Sequence, residues 1–308
     1  MYIYGPVPSR RLGRSLGVSL IPPKTCSYNC IYCQLGRTTH PQIERMSFFP
    51  KEDIFQEILN SKYLESADVI TFVGDGEPTL NKDLGWVINK CKEQLHLPIA
   101  VITNGSLLYL KEVREALTNA DIVIPSMDAG NKKTFIRMNR PYPKLEFEKI
   151  IQGQIDFRNE YNGKFWLEVM LVNNVNDSKE ELASIKEFVD KINPDRVYIM
   201  TPVRPPAESW VQSSNPENII EAQKIIGKGI AVDGLEAGNF DVDDFKNVKD
   251  AILEIGSRHP LRIGQALTIE KKYLSTGVVK QMLENNELVE VTYNKEIFLL
   301  PAHFVSGG

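Results

Sequence analysis

The 308-residue sequence has no apolar run near the ~20 residues that a bilayer-spanning helix needs, so no membrane segment is expected. Its opening, Met1-Tyr2-Ile3-Tyr4-Gly5-Pro6, lacks the basic-then-apolar order of a signal peptide. Cysteine is scarce, four in all, and a disulfide framework would want them in spread pairs. Instead Cys26, Cys30 and Cys33 crowd together while Cys91 stands apart. Clustered thiols in a long chain read as metal ligands in a reducing compartment, which predicts a cytoplasmic protein. Neither sign of charge dominates: 36 Lys+Arg face 40 Asp+Glu, a formal net charge of -4 that argues against a dedicated polyanion binder. With 42% hydrophobic and 25% charged residues the chain is neither collagen-like nor disordered. Its length suits one large domain plus something small.

What is present is unevenly spread. Residues 1–50 hold Arg10, Arg11, Arg14, Lys24, Arg37 and Arg45 against Glu44 alone, a local charge of +5 that leaves -9 for the remainder. Such a segment attracts a phosphate, a carboxylate or an acidic protein surface.

Short, nearly all-apolar runs recur at Leu16–Ile21, Asp68–Val73, Ile99–Ile102, Ile122–Pro125, Phe165–Val172 and Arg196–Met200. They read as strands covered on both faces. Between them lie amphipathic stretches at Lys51–Asn60, Lys82–Gln94, Leu107–Thr118, Lys144–Tyr161 and Ser178–Ile192, followed by Pro216–Lys228. Asn81 is placed to cap the second helix, and Ser178 with Glu181 forms a capping-box pattern. Six strand–helix units predict an α/β fold, a partial (β/α)6 TIM-like barrel over residues 1–232; an open doubly wound sheet is the rival. Residues 233–243, acidic and punctuated by Gly234 and Gly238, read as a linker. Residues 244–308 predict helices at Asp244–Ile255, near Gly264–Leu267 and at Leu274–Asn285, then strands Leu288–Tyr293 and Glu296–Leu300 joined at Asn294-Lys295. That order resembles a winged helix. Eight basic against nine acidic residues over 243–308 favour a docking or substrate-presenting module over a DNA reader.

The chemistry concentrates in Cys26-Ser27-Tyr28-Asn29-Cys30-Ile31-Tyr32-Cys33, a C-x3-C-x2-C spacing after the first predicted strand. Two readings follow from the residues. A zinc-stabilised binding protein would use the three sulfurs with His40 as fourth ligand. Alternatively, three thiolates hold three irons of a [4Fe–4S] cube and leave one iron open. A second element, Gly74-Asp75-Gly76-Glu77-Pro78, ends the second predicted strand, where glycines allow close backbone approach and a carboxylate accepts from an ammonium. Gly13-Arg14-Ser15-Leu16-Gly17 matches G-x-S-x-G, but the strand follows it rather than precedes it, so a serine hydrolase is rejected.

The cysteine spacing, with Tyr32 before the third cysteine, resembles the signature of the radical S-adenosylmethionine superfamily. The resemblance implies that Cys26, Cys30 and Cys33 ligate a [4Fe–4S] cluster whose open iron chelates S-adenosylmethionine, with Tyr32 near the adenine. It implies that Gly74, Asp75, Gly76, Glu77 and Pro78 receive the methionyl amine; Asp75 departs from the commonest Gly-Gly-Glu-Pro form. It places Thr103, Asn104, Ser126, Asp128 and Glu168, at or near later strand ends, about the ribose and the methionine carboxylate. The likeness covers about residues 1–215 and is nearest to a branch related to tRNA wyosine-base synthases, through Gly5–Arg11 and Val203–Glu208. Only Cys91 lies outside the triplet, which excludes a second full cluster from one chain and marks Cys91 as a buried helix residue. The implied activity is reductive cleavage of S-adenosylmethionine to a 5′-deoxyadenosyl radical, with a flavodoxin or ferredoxin as electron donor. The expected substrate is a macromolecule, RNA or protein; a glycyl-radical activating enzyme or a small-molecule enzyme is the alternative. Arg10, Arg11, Arg137, Arg140 and Arg204, expected in loops, are candidates to clamp an anionic group.

Overall fold

A computed structural model describes residues 1–232, 240, 242 and 245–305. Along the chain come β1 Ile3–Ser9, β2 Gly13–Val18, β3 Thr25–Cys26, β4 His40–Pro41, α1 Lys51–Leu59, β5 Val69–Phe72, α2 Leu84–Gln94, β6 Ile99–Thr103 and α3 Lys111–Leu117. Then follow β7 Ile122–Pro125, α4 Lys132–Asn139, α5 Phe147–Glu160, β8 Lys164–Met170, α6 Lys179–Ile192, β9 Arg196–Met200, α7 Pro216–Ile226 and β10 Gly229–Ala231. One eight-stranded sheet has the order β1-β2-β5-β6-β7-β8-β9-β10. All its pairings are parallel except β1 with β2. The six predicted strands are its centre. β1 and β10 extend it at the edges, where Pro6 and Pro8 are tolerated because an edge strand has no partner on one side.

The sheet is curled, which decides between the rival folds. Helices α1 to α7 all contribute to one apolar cluster on its outer face, whereas a doubly wound sheet carries helices on both. The inward side chains Val69, Ala100, Ile122, Ile124, Trp166, Tyr198 and Met200 form a second cluster, joined by Leu12 and Val232 from the two edges. Arg10 Nη1 donates to Val232 O at 3.0 Å, so the turn after β1 reaches the far side of the open barrel.

Three local expectations change. Asn81 does not cap α2. Its Nδ2 donates to Leu20 O and its Oδ1 accepts from Asp83 N, so it ties the strand-end loop to the helix entry instead. Ser178 Oγ does accept from Glu181 N. Glu181, however, turns its carboxylate to Asn131 Nδ2 and Thr134 Oγ1 on α4, two donors that a return to its own cap would forgo. α4 itself was not anticipated from the sequence pattern, and it carries Arg137 in its last turn rather than in a loop.

The second domain comprises α8 Val248–Arg258, β11 Leu261–Arg262, α9 Ile263–Lys272, α10 Val278–Glu284, β12 Leu288–Tyr293, β13 Glu296–Pro301 and α11 Ala302–Val305. Its first helix starts at Val248, capped by Asn247 Oδ1 on Asp250 N, four residues later than expected. The strands form an antiparallel sheet β11-β13-β12. Asn294 and Lys295, both at positive φ, make the expected tight turn. Phe240 and Val242, from the predicted linker, belong to this domain's core; residues 233–239, 241 and 243 lie outside the described residues. Among the described residues no helix is long and apolar enough to cross a membrane.

Candidate functional site

The loop after β2 brings the cysteines to the C-terminal ends of the parallel strands, where barrel folds gather ligand groups. Thr25 and Cys26 pair with His40 and Pro41, and Thr25 also bridges to Gly76. Further on, Asn29 N and Ile31 N donate to Asn139 O and Met138 O at the end of α4. Glu208, buried, accepts from Arg37 Nε at 3.0 Å and from Arg140 Nη1 at 2.5 Å, pinning the far end of the cysteine loop. These guanidiniums, Arg37 foremost, hold the Glu208 carboxyl below its usual range.

Cys26, Cys30 and Cys33 line one cavity of about 350 Å³ together with Tyr32, Gly74, Asp75, Gly76 and Glu168. The same wall carries Arg10, Arg11, Lys24, Arg204 and Arg258, five cations against the carboxylates of Asp75 and Glu168. Arg11 pairs with Glu168, whose strand position lets it cross the barrel interior. Arg137, exposed, and Arg140, committed to Glu208, do not line the cavity.

The other candidates, Glu77, Pro78, Thr103, Asn104, Asp128 and Ser126, do not line this cavity. Glu77 is buried; Oε1 accepts from Thr79 N, Thr79 Oγ1 and Thr103 Oγ1, and Oε2 from Asn104 N at 2.7 Å. It therefore straps the end of β5 to the end of β6. Pro78 begins the 3-10 turn that Glu77 caps. Asp128 accepts from Tyr32 Oη at 2.5 Å, Asn139 Nδ2 at 2.7 Å and Met170 N at 2.9 Å, which fixes the aromatic ring between the second and third cysteines. Burial pushes the Glu77 and Asp128 carboxyls up, and their hydrogen bonds pull the other way. Ser126 borders a separate small space with Tyr28 and Gln154.

The triplet fits a centre that takes thiolate ligands, whether an iron–sulfur cube or a single ion. Burial pushes the Cys26 thiol up to about 12 and raises Cys30 and Cys33 as well, so a cation is needed to favour their thiolates. Amide donors already aim at the sulfurs: Asn104 Nδ2 and Tyr28 N at Cys26, Asn139 Nδ2 at Cys30. Among the described residues no three His, Cys, Asp or Glu side chains converge on one ion. His40 is exposed, hydrogen-bonded to Thr39 Oγ1, and does not line the cavity.

Residues the sequence pattern did not single out complete the wall. Tyr4 comes from the edge strand, Gln34 directly follows Cys33, and Arg258 and His259 arrive from the second domain. Gln34 Oε1 accepts from Arg204 Nη1 at 2.7 Å, and its Nε2 donates to Arg258 O at 3.1 Å. Adjacency to the cysteines was a usable signal for Gln34; nothing in the sequence flagged the end of α8.

A family model described as the Radical SAM superfamily matches residues 20–185, and the chain belongs to that superfamily. It is 36% identical over 307 residues to a UPF0026 protein of Methanocaldococcus jannaschii, covering 96% of this chain and 95% of that one. Among solved structures it is similar to Streptococcus suis SuiB bound to precursor peptide SuiA, with TM-score 0.54 and 16% identity over 73% of this chain and 50% of that one. A radical SAM methyltransferase from Sphaerobacter thermophilus gives 0.52 and 15% over 70% and 65%. At these identities the solved structures support the fold.

Proposed function

We propose that the chain is a radical S-adenosylmethionine enzyme in which Cys26, Cys30 and Cys33 hold three irons of a [4Fe–4S] cube and the fourth iron takes the amino and carboxylate groups of S-adenosylmethionine. The observation that carries this reading is the convergence of three thiols, Tyr32 and the Gly74–Gly76 turn on one cavity at the strand ends. A cluster held there would supply the one-electron reduction, fed by an external donor, that cleaves S-adenosylmethionine to methionine and a 5′-deoxyadenosyl radical able to take a hydrogen atom from substrate.

The chain's own residues provide position and enclosure. Gly74, at φ 140, and Gly76 leave bare backbone facing the cavity. Glu77 holds the ends of β5 and β6 in register beneath that turn, and Asp128 holds Tyr32. Inside the barrel, Ile102, Met170 and Met200 supply apolar wall that limits water.

The substrate is read as a macromolecule, RNA or protein, steadied by the winged-helix-like second domain. A flavodoxin or ferredoxin docks on the basic segment. The two stretches that resemble a branch near wyosine-base synthases, Gly5–Arg11 and Val203–Glu208, both contribute to the cavity wall. Oxygen-free reconstitution followed by dithionite and S-adenosylmethionine tests the proposal. The expected result is about four irons per chain and 5′-deoxyadenosine by mass spectrometry. A colourless zinc protein, or iron without 5′-deoxyadenosine, overturns it.

A further inference from the structure

At the position where the Gly-Gly-Glu-Pro pattern is broken, Asp75, the structure places an arginine from the other domain. Asp75 accepts from Arg258 Nε at 3.2 Å on Oδ1 and 3.4 Å on Oδ2, although 183 residues separate the two. Both side chains are nearly enclosed, with 13% of Arg258 and 9% of Asp75 exposed. The guanidinium also lies 5.1 Å from the centroid of the Tyr4 ring. Around this pair the turn is held from the barrel side: Lys24 N donates to Asp75 O at 2.5 Å, Glu77 N donates to Thr25 O, and a Cβ on Gly74 would touch Ser19. Arg258 supplies a restraint on residues 74–76 from outside the barrel.

The second domain's other attachments to the barrel mouth include several polar ones. Gln34 donates to Arg258 O, Arg204 Nη2 meets His259 Nε2 at 3.1 Å, and Asn294 Nδ2 donates to Ser213 Oγ at 2.7 Å. Polar contacts of this kind are common at interfaces between domains of one chain, and Val7 of β1 adds an apolar one by packing on the second domain's core. We propose that Arg258 is a positioning residue through which the second domain sets the Gly74–Asp75–Gly76 turn, so that S-adenosylmethionine binds tightly only while that domain is seated on the barrel mouth. This rests on the reading that the turn receives the methionyl group. It assigns the departure at Asp75 a purpose: a carboxylate there gives the second domain a handle on the turn that a glycine would not.

The test uses the full chain, cluster-loaded for affinity and iron-free for local motion. Arg258→Ala raises the S-adenosylmethionine dissociation constant about tenfold, equivalent to ~1.4 kcal/mol. Asp75→Asn, which keeps the shape, does the same. The double variant is no weaker than either single one, because both remove one contact. Arg258→Lys keeps the charge without the planar fork and falls between. Amide exchange of residues 74–77, read without any cofactor, accelerates in Arg258→Ala and in Asp75→Asn. Unchanged affinity in Arg258→Ala, unchanged exchange at 74–77, or additive losses in the double variant overturns the proposal. If the unaltered loaded chain fails to bind S-adenosylmethionine while exchange accelerates as stated, the functional reading falls and the coupling of domain to turn stands.

Discussion

Replacing Gly76 by alanine should damage both the fold and the site, and the geometry sets the size of the effect. A Cβ built on Gly76 lies 2.7 Å from the Thr25 carbonyl carbon and closer still to its oxygen. Unstrained carbon–carbon contacts sit near 3.5–4.0 Å, so the two segments must part by about 1 Å. The obstructing atoms are backbone, and no rotamer change moves them. Thr25 O accepts from Glu77 N at 3.1 Å, and Lys24 N donates to Asp75 O at 2.5 Å, so separation weakens both bonds. Two hydrogen bonds at ~0.5–1.5 kcal/mol each plus ~1–3 kcal/mol for overpacking give about 4 kcal/mol. That is a large share of the ~5–15 kcal/mol that holds a typical protein folded. Because Cys26 follows Thr25, the same displacement moves the first sulfur. Urea unfolding of the iron-free chain should therefore show a loss of about 4 kcal/mol, and anaerobic loading should give substoichiometric iron. Gly264→Ala is the matched control, since nothing lies within 4 Å of its Cβ. If Gly76→Ala matches that control in stability and in iron content, the account of the turn packed against the Cys26 strand is wrong.

Three further outcomes follow from individual residues. His40→Ala should leave metal content unchanged by elemental analysis; loss of metal would revive a ligand role for that side chain. Cys91, fully buried in α2 with its thiol pushed up to about 12, should resist iodoacetamide in the native chain at pH 8 and react once the chain is unfolded; rapid native labelling would contradict its burial. Glu208→Gln should cost about 1 kcal/mol at neutral pH, a figure kept low because Arg37 is largely exposed. Glu208 titrates lower folded than unfolded, so its contribution is present above its unfolded value of about 4.5 and is lost as pH falls through the folded value. The gap between Glu208→Gln and the unaltered chain should accordingly close on acidification. A gap of the same size at pH 3 would show that charge is not its origin.

The central strands were readable because burial on both faces leaves almost nothing polar in them, as in Val69–Phe72 and Ile122–Pro125, which are buried throughout. The edges were not. β1 contains Pro6 and Pro8, which argue against a strand anywhere but at an edge, and β10 is three residues long. Contiguous chemistry was equally readable: the three cysteines, Tyr32 and the Gly74–Gly76 turn meet at one cavity. Sequence does not say which way a carboxylate faces. Glu77 and Asp128 are held by protein donors and do not line the cavity, while Glu168 does. The second domain's contribution was invisible for a simpler reason, since Asp75 and Arg258 lie 183 residues apart and meet only through the tertiary fold.

This division between wall and support has a physical logic. A site that holds its ligands in fixed relation gains when few of its restraints depend on side chains able to swing. Here the cysteines and glycine backbone share the wall with charged side chains, while the buried carboxylates of Glu77 and Asp128, each with several donors, fix the strand ends and the Tyr32 ring. Reorganising that support would orphan buried polar groups, at ~1–3 kcal/mol for each one left unpaired. The Arg258–Asp75 pair differs in kind, because the arginine, which also pairs with Glu254 on its own helix, reaches the turn from a domain with its own apolar core. On the proposed coupling through Arg258, changes in the turn are expected to arise from movement of the second domain rather than from rearrangement of the strand ends.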